Sequence, residues 1–492
     1  MGSRNRCKAL KKVTMTAVEA VRLVGRGCTL GTTGTTTIGY PRAFFRALSD
    51  RAREGELSDL TLWSMAPLGD EVDGALTRAG ALARRFGMQS NRDLTRSINE
   101  GRVAFTDFGV NAFVRKAKLG VLGRLDIAVV EVAGIAEDGS IVPSLCMGNT
   151  PFLVAEARHL ILEVNHWLPS EIEGLHEMIE SNGSIPVLNK RVGPSRIGLD
   201  LGKVIAVVES CEEPEIPSPP PIEAVHRVIA ANLVRFLEEQ WQQGLVPRNL
   251  LPVQVGLGGL GEAILEGLVQ GPWGPIALHS PLVGDAAVRL LAEDQISVVS
   301  GSGLFLSTNG LKFLFENLEL IRKNLILRPV DVVASPAVIV QHGCIALNMA
   351  VEVDLYGHVN SSHLPGGRLL SGVGGSVEFA RNSALSIFLT PSSARGGKVS
   401  AIVPRVCHCD HTEHDVDIVV TEQGFKDLRG TDPRERATEM IKSCAHPDYR
   451  EILAAWLCAA GKGHEPQLEE GDHSMHAMYL KNGSMCGSGA TG

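Results

Sequence analysis

LLSGVGGSVEFARNSALSIFLTPSSARGGKVSAIVPRVCHCDHTEHDVDIVVTEQG, residues 369–424, alternates three kinds of segment. Glycine turns stand at Gly372, Gly374 and Gly375 and again at Gly396 and Gly397. β-Branched runs cover 386–390, 399–403 and 416–421, and a dense polar run fills 410–417. Glycine between a turn and an apolar strand lets backbone N–H groups face a ligand oxygen, because no Cβ blocks the approach. Glycine alone is also the mark of tight turns in an α/β sheet, so both readings stay open at this point.

The chain around this stretch has 492 residues, enough for two or three domains that each bury a core. With 44% hydrophobic residues and 53 glycines, the composition is that of a turn-rich α/β protein in solution. A net charge of -8 and the lack of a long basic run argue against a nucleic-acid partner, so small anions must be held by local sites. No window approaches the roughly 18 unbroken apolar residues of a membrane helix. The opening MGSRNRCKALKKV leads into a mixed stretch without a signal-peptide core, and Arg6 stands where a myristoylation signal needs Ser or Thr. Ten cysteines are scattered with no C-x-x-C pair, and the expectation is a cytoplasmic protein with reduced thiols.

In chain order, residues 18–24 begin a helical rhythm, and Gly31 to Pro41 form a strand-turn-helix entry with proline early in the helix. Apolar runs at 60–64, 127–132, 160–164 and 204–208 read as strands, and the helical stretches between them argue for βαβ units in a mainly parallel sheet. Three carboxylates in GDEVDG, 69–74, suit either a divalent metal or a helix N-terminus, which favours acidic side chains. CEEPEIPSPPP, 211–221, is a semi-rigid linker by composition. The expected domains are therefore 1–211, a linker at 212–221, and 222–460, with a mobile tail at 461–492 rich in Gly, Ser and His. The second half opens on an amphipathic helix, 222–241, and carries VQVGLGGL at 253–260 before an apolar helix that runs through 268.

Together these strings resemble the acetyl-CoA hydrolase/transferase family of class I CoA-transferases, and its acetate-using succinyl-CoA branch most of all. The resemblance is carried by GGSVEFARN at 374–382, ARGG at 394–397 and DHTEHDVDIVVTEQG at 410–424. GYP at 39–41, GDEVDGAL at 69–76 and EVNHWLP at 163–169 extend it over about 14–453. It implies an α/β fold of two related CoA-transferase-type domains, each with an open, mainly parallel sheet, and a cleft between them. It also implies coenzyme A, bound as the acyl-CoA substrate, with no metal, and a homodimer. The acceptor would be a small carboxylate, an amine, an alcohol or water.

GLGGLG, 256–261, follows a strand and opens a helix, so its amides can face a phosphate or a thioester oxygen. A nicotinamide dinucleotide site would want an acidic residue roughly 20 residues on. HSPL at 279–282 stands there instead, which makes that cofactor the poorer choice. The resemblance places CoA contacts on Gly256, Leu257, Gly258, Gly259 and Leu260, with others on Val351, Ser371, Gly375 and Arg395. In such a family a glutamate attacks the acyl-CoA and becomes a glutamyl-CoA thioester, dividing one hard exchange into two easier ones. A glycine amide, here that of Gly375, and an asparagine hold the oxyanion.

This chain departs from that pattern twice. Pro281 stands where the glutamate belongs and Ala334 where the asparagine belongs, and no glutamate occurs from 267 to 292. The expectation is an acyl-CoA-handling enzyme that works without a glutamyl-CoA intermediate, by direct hydrolysis or acyl transfer. Glu262 is either a general base beside the glycine loop or a helix-terminal acid favoured by the dipole. His279 and Ser280, at the vacated position, are a candidate base and nucleophile, although neighbours on a strand face opposite ways. Two alternatives stay open: ordinary CoA transfer through a substitute carboxylate, and a non-catalytic CoA-binding or partner-binding protein. Cys407, His408, Cys409, Asp410 and His411, continued by Glu413 and His414, are zinc ligand types. C-x-C rarely gives tetrahedral spacing, however, and the resemblance implies no metal there.

Overall fold

The computed structural model describes residues 4–179, 185, 187–468 and 471–486. The chain divides into two compact units, Met1–Pro219 with Ala277–Val338, and Pro220–Ile276 with Ile339–Gly492.

The first unit is built on β1 (Thr29–Thr32), β2 (Leu60–Trp63), β3 (Leu82–Phe86), β4 (Ala104–Thr106), β5 (Ile127–Ile135), β6 (Ile141–Pro143), β7 (His159–Asn165) and β8 (Val204–Ser210). Their spatial order is β4-β3-β2-β1-β5-β7-β8, with β6 antiparallel on β5 and every other pair parallel. The chain lays strands outward from β1 in one direction and then, from β5, in the other. All of β5 is buried, which is why a strand covered on both faces reads as an unbroken apolar run. Helix Arg42–Arg53 buries Phe44, Phe45 and Leu48 against Leu30, Leu62 and Val129, each full burial being worth about 1.5–3 kcal/mol. Its first amides, on Ala43 and Phe44, donate to the Glu163 carboxylate at 3.1 and 2.9 Å, so β7 caps the helix that follows β1.

Residues 277–338 fall inside the expected domain 222–460 and are grouped by compactness with the first unit. The reason is a set of non-local backbone bonds. Leu304 N–H donates to Leu145 O at 3.1 Å, Met147 N–H to Ser302 O at 2.8 Å, and Leu327 N–H to Leu175 O at 2.8 Å. Strands Ile296–Gly301 and Leu325–Leu327 pair in parallel within this part.

The second unit sets four strands side by side in parallel, Val253–Val255, Ile345–Met349, Leu385–Leu389 and Ile418–Thr421, and closes the row with antiparallel Gly424–Asp427. Helix Ala224–Gln242 packs on Gly259–Leu268 closely enough that a Cβ at Gly267 would stand 3.2 Å from that of Ala230. The stretch 461–492 was expected to be a mobile tail. Its described part instead contains helix Ser474–Asn482 and sends Met475, Met485 and Cys486 into a core with Tyr356, Tyr449 and Trp456. A few well-spaced apolar residues outweigh its polar composition. No helix among the described residues is long and apolar enough to cross a membrane, and the ten cysteines are free thiols.

Candidate functional site

In the second unit four parallel strands end on one edge, at Val255, Met349, Leu389 and Thr421. Ligands of open α/β sheets bind beyond such carboxyl ends. The glycine loop leaves Val255 there. Gly256 N–H is spent on Leu347 O at 3.0 Å, and Glu262 N–H donates to Gly258 O at 3.0 Å to close the first helical turn. A Cβ at position 261 would lie 1.9 Å from the Gly256 carbonyl oxygen, and one at 259 would lie 2.7 Å from that of Pro221. Those two glycines serve close packing of the chain on itself. Gly258 differs: its φ is 103° and nothing lies within 4 Å of a Cβ built on it, so this residue faces open space. Leu257 is half-buried, Leu260 is buried, and Glu262 is half-buried in the first turn of the helix.

The other expected contacts gather on the same edge by topology. Val351 follows Met349 by two residues and donates its N–H to Asn360 O at 2.8 Å. Arg395 sits in the hairpin of Ser393–Ala394 with Val399–Ser400, just past Leu389, and is exposed. It has φ 52°, followed by Gly396 at 64° and Gly397 at 83°, three left-handed residues in succession. Gly375 is the N-cap of helix Ser376–Asn382, which feeds strand Leu385–Leu389. A helix that returns the chain to the start of the next parallel strand has its N-terminus at the carboxyl edge. Ser371 N–H donates to Ser362 O at 3.3 Å beside this turn.

The polar run 410–417 turns out to pin that turn and its neighbours. Asp410 accepts from Ser361 N–H at 2.7 Å and from the Ser362 hydroxyl at 2.8 and 2.7 Å. His411 packs on Phe388 with ring centroids 4.8 Å apart and brings Nε2 to 3.2 Å from Ser376 Oγ, and burial holds its pKa low. Asp415 takes Arg381 through two bonds of 2.9 and 2.6 Å, and Asp417 accepts Ser386 N–H at 2.8 Å. Three groups of metal-ligand types converge among the described residues: Glu352 with Cys407 and His476, His363 with His408 and Asp410, and His358 with Glu413 and Glu465. Each already contains a direct pair, at 2.8 Å for His476 and Glu352, 3.2 Å for His408 and Asp410, and 2.7 Å for His358 and Glu413. Burial, and then the Glu352 carboxylate, push the Cys407 thiol up to about 12, which disfavours a thiolate. The three acids of GDEVDG in the first unit likewise have arginine partners: Asp70 with Arg78, Glu71 with Arg42, and Asp73 with Arg85.

A carboxylate that sequence reasoning passed over, Glu422, follows Thr421 on the same strand-end edge. It accepts Ser392 N–H at 2.8 Å and Gln423 Nε2 at 3.0 Å. Burial pushes its pKa up, but the Ser392 hydroxyl and amide more than offset this and leave the carboxyl below its usual range. Its signal was present in the VTEQG string but carried no role there.

In the first unit, His279 is fully buried. Its Nδ1 lies 3.0 Å from Ser300 Oγ and its Nε2 lies 2.9 Å from Val333 O. Arg328 Nη1 donates to the same Ser300 hydroxyl at 2.6 Å, so that hydroxyl turns its proton to Nδ1, and Nε2–H donates to the carbonyl. Arg328 Nε closes a 2.6 Å ion pair with Glu177, both side chains being 0% exposed. Both ring nitrogens of His279 are thus engaged in a structural network. Ser280 is also buried, with its N–H on Ser300 O at 3.0 Å. Pro281 accepts two amides at its carbonyl, from Ser302 at 3.0 Å and Gly303 at 3.1 Å. Ala334 is buried just past helix Val330–Val333. Neither residue offers a nucleophile or a side-chain donor. His176, buried, donates to Ser144 O at 2.7 Å, and burial lowers its pKa to about 4, so it is neutral.

Residues 2–209 match the acetyl-CoA hydrolase/transferase N-terminal domain, and residues 310–456 match the acetyl-CoA hydrolase/transferase C-terminal domain. A succinyl-CoA:acetate CoA-transferase of Clostridium kluyveri is 34% identical over 488 residues, covering 97% of this chain and 90% of that protein. An acetyl-CoA hydrolase of Saccharomyces cerevisiae is 34% identical over 510 residues, covering 97% and 95%. Among solved structures, RipA from Yersinia pestis has a TM-score of 0.72 at 21% identity, over 91% of this chain and 97% of that one. A 4-hydroxybutyrate CoA-transferase from Porphyromonas gingivalis has a TM-score of 0.62 at 22% identity, over 91% and 98%. These two share the fold.

Proposed function

Since the chain belongs to the acetyl-CoA hydrolase/transferase family, we propose that it is an acyl-CoA-handling enzyme that transfers the acyl group directly to water or a small acceptor, without a glutamyl-CoA intermediate. What supports this reading is the pair Pro281 and Ala334, which the resemblance sets at the nucleophile and oxyanion positions, together with the glycine-lined edge of the second unit.

In this reading the open backbone around Gly258 takes phosphate oxygens, Arg395 takes the anionic nucleotide end, and Val351 and Ser371 line the pantetheine arm. The Gly375 amide polarises the thioester carbonyl. An acceptor oxygen or nitrogen attacks that carbon, and the oxyanion forms at the amide. Collapse then expels the CoA thiolate while a carboxylate takes the acceptor's proton. Glu262, at the foot of the glycine-loop helix, is the base proposed here. Loss of one oxyanion donor typically costs about 10²–10³ in rate, so slow turnover is expected with alanine at 334. The reading also takes the chain as a cytoplasmic homodimer with reduced thiols, acting without metal, and its ten free cysteines support the redox part.

Glu422 supports a second reading, ordinary CoA transfer through a substitute carboxylate on the same edge. The two are separated by incubating the chain with acetyl-CoA, reducing with borohydride and measuring intact mass, with free thiol followed in parallel. Thiol release without an adduct supports direct transfer. A glutamate carboxyl reduced to its alcohol, with CoA thiol expelled only on adding borohydride, supports the second reading, and tight CoA binding with neither would mark a non-catalytic protein.

A further inference from the structure

The second unit carries an element beyond the family's C-terminal domain match, which ends at residue 456. Residues 461–486, where described, do not merely cover the core. They grip one hairpin at its tip. Met485 N–H donates to Lys398 O at 2.8 Å, a backbone bond between the end of the chain and the Arg395 turn. Tyr449 Oη donates to Gly397 O at 2.7 Å, and its ring lies in one core with Met485 and Cys486. The Tyr479 ring centroid stands 5.5 Å from the Arg395 guanidinium carbon, inside the range of a cation–π contact. Helix Ser474–Asn482, which presents Tyr479, is anchored at its other end by the buried pair of His476 with Glu352 at 2.8 Å, one residue from Val351.

These contacts act on a turn that needs them. Arg395 is a non-glycine residue in the left-handed region, followed by two glycines there, so the hairpin tip has little local preference to fix its shape. Stacking on a ring uses the face of a guanidinium and leaves its edge, with five N–H donors, free for oxygen acceptors. Among the described residues no carboxylate pairs with Arg395.

We infer that residues 474–486 form a strap that holds the 394–398 hairpin, and that Tyr479 is a positioning residue that presents the edge of Arg395 to a phosphorylated nucleotide. The ligand part of this rests on the CoA reading above; the strap does not.

The experiment uses the full chain with Tyr479→Phe, Tyr479→Leu, Arg395→Ala and the Tyr479→Leu/Arg395→Ala double variant. Two quantities are read: CoA affinity by calorimetry, and the rate of tryptic cleavage at Lys398 without ligand. A cation–π contact at an exposed site is worth about 0.5–1 kcal/mol, so Tyr479→Leu should weaken CoA about 2–5-fold. In acyl-CoA turnover the same variant should raise KM and leave kcat unchanged. Tyr479→Phe, which keeps the ring, should match the wild type. Tyr479→Leu should speed cleavage at Lys398, and in the Arg395→Ala background it should cost no further CoA affinity. Wild-type affinity and cleavage in Tyr479→Leu overturn the proposal, and so does an equal loss of affinity in the Arg395→Ala background. A wild-type chain that binds no CoA, while Tyr479→Leu still opens the hairpin, overturns the CoA reading and supports the strap.

Discussion

Glu177→Gln tests the buried network of Glu177, Arg328, Ser300 and His279. Glu177 and Arg328 are both 0% exposed at their side chains and meet at 2.6 Å. Glu177 also accepts the Gly193 N–H at 3.1 Å and the Val192 N–H, so its carboxylate holds three donors. An amide in its place turns an NH2 toward one of those donors and leaves the guanidinium buried without a counter-charge. Burial already pushes the Arg328 pKa down against that carboxylate. Removing one partner of a buried ion pair costs about 3–5 kcal/mol, and a donor facing a donor places this case in the upper half. At roughly 2–4 °C per kcal/mol for a domain of this class, a 4 kcal/mol loss lowers the transition by about 8–16 °C. The assay is equilibrium urea unfolding and a thermal scan of Glu177→Gln, Arg328→Met and the pair together. The double variant should be less destabilised than the sum of the singles, since it buries no lone charge. A Glu177→Gln chain within 1 kcal/mol of wild type would refute the assignment of this pair as the charge-balanced core of the network.

Other consequences are as direct. Burial raises Glu131 from 4.5 to about 7, partly offset by the bond from Asn165 Nδ2 at 2.9 Å and by Arg42 and Ser144. Between pH 4.5 and 7 the unfolded chain releases a proton that the fold retains, so stability is full below that window and falls by up to about 3 kcal/mol as pH rises through it. Glu131→Gln should therefore melt higher than wild type at pH 8 and close to it at pH 5, and an equal difference at both would sink the idea. Gly261→Ala places a Cβ 1.9 Å from the Gly256 carbonyl oxygen, so the glycine loop must shift; CoA affinity should drop at least ~10-fold by calorimetry if that loop holds phosphate. Pro281→Glu, which costs no backbone donor because proline has none, should give a borohydride-trappable adduct with acetyl-CoA where the wild type gives none.

The strands were legible because each rests on a local run. The β-branched segments at 60–64, 127–132, 160–164 and 204–208 lie in β2, β5, β7 and β8. What the sequence hid is long-range. Backbone bonds tie 304 to 145 and 327 to 175, and no periodicity of the chain records them. His279 is similar. Beside Ser280 it suggested a base and nucleophile, but its ring nitrogens are spent on Ser300 and Val333, 21 and 54 residues away. The described tail misled through composition, since three buried apolar residues decide its fate.

The polar run shows why a string can be informative and still be misread. Its density suggested metal ligation, whereas Asp410, His411, Asp415 and Asp417 bond to backbone and side chains of 361–386. His411 reaches Ser376, Asp415 holds Arg381 and Asp417 holds Ser386 N–H, one at the start of helix Ser376–Asn382, one in its last turn, and one at the strand that follows. A backbone amide can stabilise charge only where it is already aimed, because reorganising it during the reaction would consume the benefit. Such an amide therefore needs its turn fixed from several sides at once. That requirement explains a cluster of acids and histidines in a place where no acid–base step has to occur.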